Sequence, residues 1–174
     1  IRQWRYAQPV LLEAKRVLLT AVGKSDPIGT WKNRRGEGFE KQDGPILTVC
    51  REIRPDVVYL FYTTEEAGKE NDYTTKAGEV KAFLRSEYPT GGIDVKQVPL
   101  EAVKDPTDLS ELIPTFQGCV SKILSANPVD SVFVNATSGT TQMAITWHLL
   151  TERRLLPARL LQTREVRYAK HGKP

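Results

Sequence analysis

Hydroxyl and amide side chains crowd into one short stretch, residues 135–143, which reads Asn-Ala-Thr-Ser-Gly-Thr-Thr-Gln-Met. The β-formers at 131–134 predict a buried strand before it, and the mostly apolar run at 140–153 predicts a helix after it. A tight turn from a strand into a helix leaves backbone N–H groups unpaired at the helix start, where the helix dipole also favours an anion. The stretch therefore predicts an anion site, with simple capping of the helix as the alternative. The hydroxyls that would assist either role belong to Thr137, Ser138, Thr140 and Thr141.

A second polar loop follows another short apolar run, residues 17–22, and opens with Gly-Lys-Ser-Asp-Pro at 23–27. It is not a P-loop, because Leu18 stands where that motif needs a glycine, and because Pro27 and a long loop follow the lysine instead of a helix. The glycine spacing of a dinucleotide-binding loop is also missing after this run. The loop therefore needs an explanation other than these two phosphate-binding motifs.

From residue 29 to residue 43 the chain stays polar and is punctuated by glycine, which predicts a connection without regular structure. With residues 23–28 before it, this makes a connection of about twenty residues, and a structureless connection of that length in a compact domain is usually functional or mobile. Aromatic rings beside cations can stack on a base and pair with phosphate, so we predict a mobile lid over a ligand. An exposed disordered loop is the alternative. The side chains that would form the lid are Trp31, Lys32, Arg34 and Arg35.

Short apolar runs alternate with helical patterns along the rest of the chain. The predicted strands are 17–22, 57–62, 93–98, 130–135 and 158–162, and the predicted helices are 45–53, 74–88, 108–124 and 140–153. This alternation predicts an α/β fold with a doubly wound, mostly parallel, Rossmann-like sheet and helices on both faces. In the usual doubly wound order the first and fourth strands are neighbours at the switch point, where ligands bind outside the carboxyl ends of the strands. Both polar loops follow those two strands, so we expect a ligand site between them.

Other kinds of chemistry find little support in the sequence. The 174 residues suit one domain, and the net charge of +4 favours an anionic ligand but is too small to indicate duplex nucleic acid. His148 falls on a predicted helix and His171 in the tail, so no catalytic triad is predicted. Cys50 and Cys119 lack the spacing of metal ligands. We therefore predict no catalytic residue, no metal site and no cofactor.

Two motifs resemble those of CARF domains, the CRISPR-associated Rossmann-fold sensors of type III CRISPR effectors. Residues 17–28, 43–47 and 54–61 resemble the opening of these domains. The turn at 135–143 resembles their second signature, commonly Asn-x-Thr-Gly-Gly-Thr-Lys-x-Met, with Thr141 at the position where the family often carries lysine. The likeness extends from residue 17 to about residue 163 and is fairly specific, because the two motifs come in the right order.

The resemblance implies a homodimer that binds a cyclic oligoadenylate second messenger, most commonly cyclic tetra-adenylate, across its two-fold axis. A ring with an even number of repeats matches that symmetry. Carried over from the family, the first ligand loop consists of Gly23, Lys24, Ser25 and Asp26. The second consists of Asn135, Thr137, Ser138, Gly139, Thr140, Thr141 and Gln142, and the end of the second strand adds Thr63 and Thr64 as weaker candidates.

The resemblance also suggests how the chain is organised. Residues 1–16 form a lead-in or juxtamembrane segment, residues 17–165 the sensor domain, and residues 166–174 a basic tail or short edge strand. Sensors of this family usually drive an output module, and none follows here, so we expect that module upstream of Ile1 or in a partner.

Cations and aromatic rings near the start of the chain have the character of a segment that leaves a bilayer on its cytoplasmic side. These residues are Arg2, Trp4, Arg5 and Tyr6. We therefore predict a cytoplasmic domain anchored to the inner membrane by an upstream span. Three alternatives remain: a sensor that drives an upstream soluble module, a ring nuclease that degrades cyclic tetra-adenylate, and an unrelated nucleotide-binding α/β domain.

Overall fold

A computed structural model describes residues 15–32, 39–89, 92–126 and 129–163. Its strands are β1 (Lys15–Ala21), β2 (Ile28–Lys32), β3 (Phe39–Asp43), β4 (Val57–Tyr62), β5 (Asp94–Pro99), β6 (Val129–Asn135) and β7 (Arg159–Leu161). Its α-helices are α1 (Pro45–Ile53), α2 (Thr74–Glu87), α3 (Leu109–Ala126) and α4 (Thr141–Glu152). Two short 3₁₀ turns, Glu65–Ala67 and Lys69–Asn71, lie between β4 and α2.

Five parallel strands form the main sheet in the order β5-β4-β1-β6-β7. The central strand β1 pairs with β4 on one side, from Val17 opposite Val57 onward, and with β6 on the other. All six residues of β4 are buried, as expected for an inner strand that helices cover on both faces. This arrangement confirms the predicted doubly wound α/β fold and the predicted contact between the first and fourth strands of the sheet.

Each face of the sheet carries a hydrophobic core of its own. On the face covered by α3 and α4, three aromatic rings pack together, with centroids 4.6–5.3 Å apart. They belong to Phe61 of β4, Phe116 of α3 and Trp147 of α4. The face covered by α1 and α2 buries a separate, mainly aliphatic cluster against β1 and β4. The predicted positions of all four helices are confirmed to within two residues at each end.

The prediction of a structureless connection from residue 29 to residue 43 is wrong. Strands β2 and β3 pair antiparallel, from Ile28 opposite Asp43 to Lys32 opposite Phe39, and form a hairpin apart from the main sheet. The two strands read Ile-Gly-Thr-Trp-Lys and Phe-Glu-Lys-Gln-Asp, with few apolar residues, so the sequence lacks the pattern of a buried strand. Residues 33–38 lie outside the described part of the chain.

Three further predictions concern the ends of the chain. Strand β1 begins at Lys15, two residues earlier than the predicted strand. Of the predicted lead-in segment 1–16, residues 15 and 16 belong to β1. Residues 1–14, with Arg2, Trp4, Arg5 and Tyr6, and the predicted tail or edge strand at 166–174 lie outside the described residues. Within the part of the chain that the structure describes, no helix is both long and apolar enough to cross a bilayer.

Candidate functional site

Two loops meet at the carboxyl ends of the adjacent strands β1 and β6. We call residues 22–27 the β1 loop and residues 136–140 the β6 turn. Their backbones touch, because a Cβ atom on Gly23 would lie 2.7 Å from the backbone N of Gly139. Gly139 also has a φ of +91°, which side-chain-bearing residues rarely adopt, and a Cβ there would lie 2.7 Å from that of Ala21. The predicted meeting of the two loops is therefore present, and glycine is required on both sides of it.

The carboxylate of Asp26 lies at the centre of this contact and is fully buried. Its Oδ2 accepts hydrogen bonds from the Gly23 N–H at 3.0 Å and from the Ser138 Oγ at 2.8 Å. Its Oδ1 accepts from the N–H of Ile46 at the start of α1, at 3.1 Å. Burial raises the pKa of this carboxyl group, although the three hydrogen bonds and the nearby Lys76 ammonium oppose the rise.

Asn135 extends this buried network from the end of β6 into β1. Its Nδ2 donates to the Thr20 Oγ1 at 3.1 Å, and its Oδ1 accepts from the backbone N–H of Thr137 at 3.0 Å. The same Nδ2 lies 3.5 Å from the Ser138 Oγ. Asp26, Asn135 and Ser138 were all predicted to contact ligand, yet each is at most 3% exposed and bonds to the protein itself. These three residues shape the loops from within.

Thr140 is the N-cap of α4, as the capping alternative predicted. Its Oγ1 accepts a hydrogen bond from the Met143 N–H at 3.2 Å and donates one to the Pro106 carbonyl at 2.9 Å. Thr137 is exposed, and its Oγ1 accepts from the N–H of Thr163 beyond β7, at 2.8 Å. The two hydroxyls thus hold the β6 turn against its neighbours.

A smaller group of predicted site residues remains accessible from outside. Lys24 and Thr141 are exposed, and Ser25, Gly139 and Gln142 are partly exposed. Gly139, Thr141 and Gln142 lie at the start of α4, where a helix has free backbone donors and a positive dipole end, and Lys24 and Ser25 follow Gly23, whose backbone touches that of Gly139. This cluster carries one cation and several polar groups, so it can bind an anion that also offers hydrogen-bonding edges.

The end of β4 contributes less than predicted. Thr63 is buried, and its hydroxyl donates to the Asn71 carbonyl in the second 3₁₀ turn. The Thr64 hydroxyl oxygen is buried and has no hydrogen-bond partner among the described residues. Of the predicted lid residues, Trp31 and Lys32 belong to β2, whereas Arg34 and Arg35 lie outside the described part of the chain.

Lys76 is a contributor to this region that the sequence did not reveal. It lies in the first turn of α2, half-buried, and its Nζ donates to the Asp26 carbonyl oxygen at 2.8 Å. The two residues are 50 positions apart, so no local spacing links them. Gly44, just before α1, is also essential to the packing, because a Cβ there would lie 2.4 Å from the Ser25 carbonyl oxygen.

A cavity of about 560 Å³ opens beside the β6 turn, between α1 and the end of β7. Thr163, whose N–H binds the Thr137 hydroxyl, is part of its wall. Arg51 also lines the cavity and is held by ion pairs with Asp43 and Glu87. Among the described residues, no group of three or more His, Cys, Asp or Glu side chains is placed to hold a metal ion.

Sequence and structure comparisons place these observations among known proteins. The chain is 27% identical over 132 residues to the CRISPR system endoribonuclease Csm6 of Enterococcus italicus, an alignment that covers 75% of this chain and 28% of that protein. A solved structure of Enterococcus italicus Csm6, bound to cyclic hexa-2'-fluoro-hexa-dAMP, matches the fold with a TM-score of 0.67 at 24% identity. That match covers 90% of this chain and 36% of the other.

The chain thus spans about a third of the length of these Csm6 proteins. The two matches confirm the predicted resemblance to a CRISPR-associated CARF domain as far as homology and fold are concerned. A family model described as "RtcR: Regulator of RNA terminal phosphate cyclase" matches residues 68–173, which is more than half of the chain. The chain therefore belongs to the RtcR family.

Proposed function

We propose that this chain is a sensor domain that binds a cyclic oligoadenylate. The observation that carries the proposal is the contact of two loops at the switch point, where the backbones of Gly23 and Gly139 touch and their neighbours Lys24, Thr141 and Gln142 stay accessible. Homology to Csm6, and the likeness in fold to a Csm6 structure that holds a cyclic oligonucleotide, support it.

The accessible groups suit the chemistry of such a ring. Its phosphates would lie against the first turn of α4 and the Lys24 ammonium, where backbone donors and positive charge coincide. The amide of Gln142 and the hydroxyls of Ser25 and Thr141 are suited to the polar edges of adenine. The proposal needs no metal or cofactor.

We propose a homodimer with one ring bound across its two-fold axis, each copy contributing the same residues. Cyclic tetra-adenylate is the ring we favour, on the resemblance to CARF sensors. The ligand in the solved Csm6 structure has six nucleotides, so cyclic hexa-adenylate is the first competitor to test.

Titration with cyclic tetra-adenylate, cyclic hexa-adenylate and linear ATP tests this proposal. We expect the four-membered ring to bind most tightly, and its affinity to fall as added salt screens the phosphate contacts. Lys24→Ala should weaken binding about tenfold or more, because a charged hydrogen-bond donor is lost. The control is Lys122→Ala on the exposed surface of α3, which should bind as the unaltered protein does. Equal loss in both variants, or no binding of any ring, would refute the proposed site.

We infer that the domain senses the ring without cleaving it efficiently. Thr141 is neutral and exposed at the position where related signatures often carry lysine, so that position offers no cation to a scissile phosphate. Lys24, in the facing β1 loop, is the cation we would expect to take over that role. Prolonged incubation with cyclic tetra-adenylate followed by chromatography should leave the ring intact, and rapid conversion to linear di-adenylate would establish the ring-nuclease alternative.

We propose further that ligand binding controls an output module outside this chain, with a membrane span as the version we favour. Such an effector would sit in the cytoplasm, anchored to the inner membrane. Any sequence that precedes Ile1 in the whole protein provides the test, because a span needs about 20 mostly apolar residues. A soluble domain at that place would leave the sensor proposal intact and replace the membrane output.

A further inference from the structure

One buried residue, Asp26, joins four separate parts of the site. Through its side chain, Asp26 binds the β1 loop at Gly23, the start of α1 at Ile46 and the β6 turn at Ser138. Through its backbone carbonyl it binds Lys76 of α2 at 2.8 Å. Ser138 is 112 residues away in the sequence, so the contact exists only in the folded protein.

Asp26 is too deeply buried to contact a ligand directly. Its relative exposure is 0%, that of Ser138 is 3%, and the carboxylate oxygens already accept three hydrogen bonds. A carboxylate would also repel the phosphates of an anionic ligand if it faced them. The sequence placed Asp26 in the ligand loop, and the geometry gives it a different task there.

Gly23 and Ser138, which the Asp26 carboxylate joins, are next in the chain to accessible residues. Gly23 precedes Lys24, and Ser138 precedes Gly139 and the start of α4. The close approach of Gly23 to Gly139 leaves no space for a side chain between the loops, so a shift in one loop displaces the other. The hydrogen bond between Ser138 and Asp26 is the only side-chain bond between the β1 loop and the β6 turn among the described residues.

We propose that Asp26 and Ser138 form a positioning pair that fixes the β1 loop against the β6 turn, so that both halves of the ligand site take shape together. This inference rests on the proposed function. The pair acts on affinity by removing freedom from Lys24 and the start of α4 before ligand arrives, which lowers the entropic cost of binding. Lys76 supports the pair by holding the Asp26 backbone from the side of α2.

Ser138→Ala is the central test, because it removes one hydroxyl and leaves the Asp26 bonds to Gly23 and Ile46 in place. We expect the affinity for cyclic tetra-adenylate to fall about tenfold or more, the usual effect of losing a hydrogen bond to a charged group. The matched control is Thr146→Val, which removes a hydroxyl that is equally buried but bonds within α4, to the Gln142 carbonyl at 2.9 Å. The control should bind the ring as the unaltered protein does.

Two further measurements separate positioning from simple loss of stability. Hydrogen exchange at residues 23–26 should become faster in Ser138→Ala without ligand, although the change lies in the other loop, and should stay unchanged in Thr146→Val. In a double-mutant cycle, Asp26→Asn with Ser138→Ala should weaken binding no more than the more damaging single change, because both break one unit.

The outcomes distinguish this inference from the proposed function beneath it. If the unaltered protein binds no ring, the proposed function fails, and the exchange measurement alone decides whether the pair fixes the loop. If the unaltered protein binds but Ser138→Ala matches Thr146→Val in affinity and in exchange at 23–26, the positioning pair is refuted. Should Asp26→Asn fail to fold, the comparison of Ser138→Ala with Thr146→Val still decides whether the pair positions the loops.

Discussion

Asp26 is a buried acid whose hydrogen bonds only partly offset the cost of removing its charge from water. Burial raises its pKa above the ordinary value of 3.8. The Lys76 ammonium faces it from α2, and the nearby Cys50 thiol stays neutral because burial and the charges of Asp26 and Glu87 raise its pKa to about 12. The folded state therefore binds the Asp26 proton more tightly than the unfolded state does.

This difference predicts how stability changes with pH. Between 3.8 and the raised pKa of Asp26, the free energy of unfolding should fall as pH rises, because the unfolded state binds fewer protons than the folded state. The contribution of one such group is at most about 1.4 kcal/mol per pH unit. Asp26→Asn removes this titration, so urea unfolding of both proteins over a pH series isolates it. If the free energies of unfolding of the unaltered protein and of Asp26→Asn differ by the same amount at every pH, the pKa of Asp26 is not raised.

Two glycines offer a matched test of the β6 turn. Gly139→Ala should reduce the free energy of unfolding by about 1–3 kcal/mol, because its φ of +91° is strained for alanine and the added Cβ meets Ala21 and Met143. Gly78→Ala, on the exposed face of α2 with open space around it, should instead stabilise the protein by about 0.5–1 kcal/mol. Urea unfolding measures both changes. Equal effects of the two substitutions would mean that the turn is not constrained as described.

The sequence predicted which two loops meet better than it predicted which of their residues are accessible. A polar turn after each of two apolar strands was enough to bring residues 23–26 and 135–142 together, because parallel strands end at the same edge of a sheet. It was not enough to separate accessible Lys24 and Thr141 from buried Asp26 and Ser138, since that depends on packing between distant segments. Lys76 was not predicted for the same reason, because the sequence around a lysine near a helix start does not distinguish a buried contact from an ordinary solvated charge.

The hairpin of β2 and β3 shows where element prediction failed. Inner strands such as β4 were predictable, because burial on both faces leaves a continuous apolar run. The hairpin is held by its own ladder, and its base is closed by the Gly44 N–H donating to the Pro27 carbonyl at 2.7 Å. Pairing of this kind leaves little hydrophobic signal. The lid role of its residues Trp31 and Lys32 stays a prediction.

Removal of the hairpin is therefore expected to leave the main domain folded. We would replace residues 28–43 with a short glycine-serine linker, which the adjacent positions of Pro27 and Gly44 permit. The deletion removes Asp43 and with it the ion pair to Arg51 at the surface. Such pairs contribute about 0–1 kcal/mol to the free energy of unfolding. Thermal unfolding should remain cooperative.

Leu84→Ala, at a fully buried position of α2, is the variant to compare with the shortened protein. It should lower the free energy of unfolding by about 2–5 kcal/mol. A shortened protein that is less stable than Leu84→Ala would show that the hairpin supports the core. Ring affinity measured on the same folded protein tests the lid: unchanged affinity would remove Trp31 and Lys32 from the ligand site.

The main sheet supports both hydrophobic cores and the candidate site. The helices α3 and α4 pack on one face of the sheet and α1 and α2 on the other, and the accessible cluster lies at the edge where β1 and β6 end. The described residues of one domain form one such cluster at this edge. The ring of the proposed function has two-fold symmetry and offers the same groups twice, so we expect two copies of the domain to bind it together.

Calorimetric titration of the purified protein with cyclic tetra-adenylate tests the proposed sensor most directly, because one experiment reports both affinity and stoichiometry. We predict saturable binding of one ring per two chains, with linear ATP unable to compete at equal concentration. Binding of one ring per chain, or no heat of binding with any cyclic oligoadenylate, would contradict it.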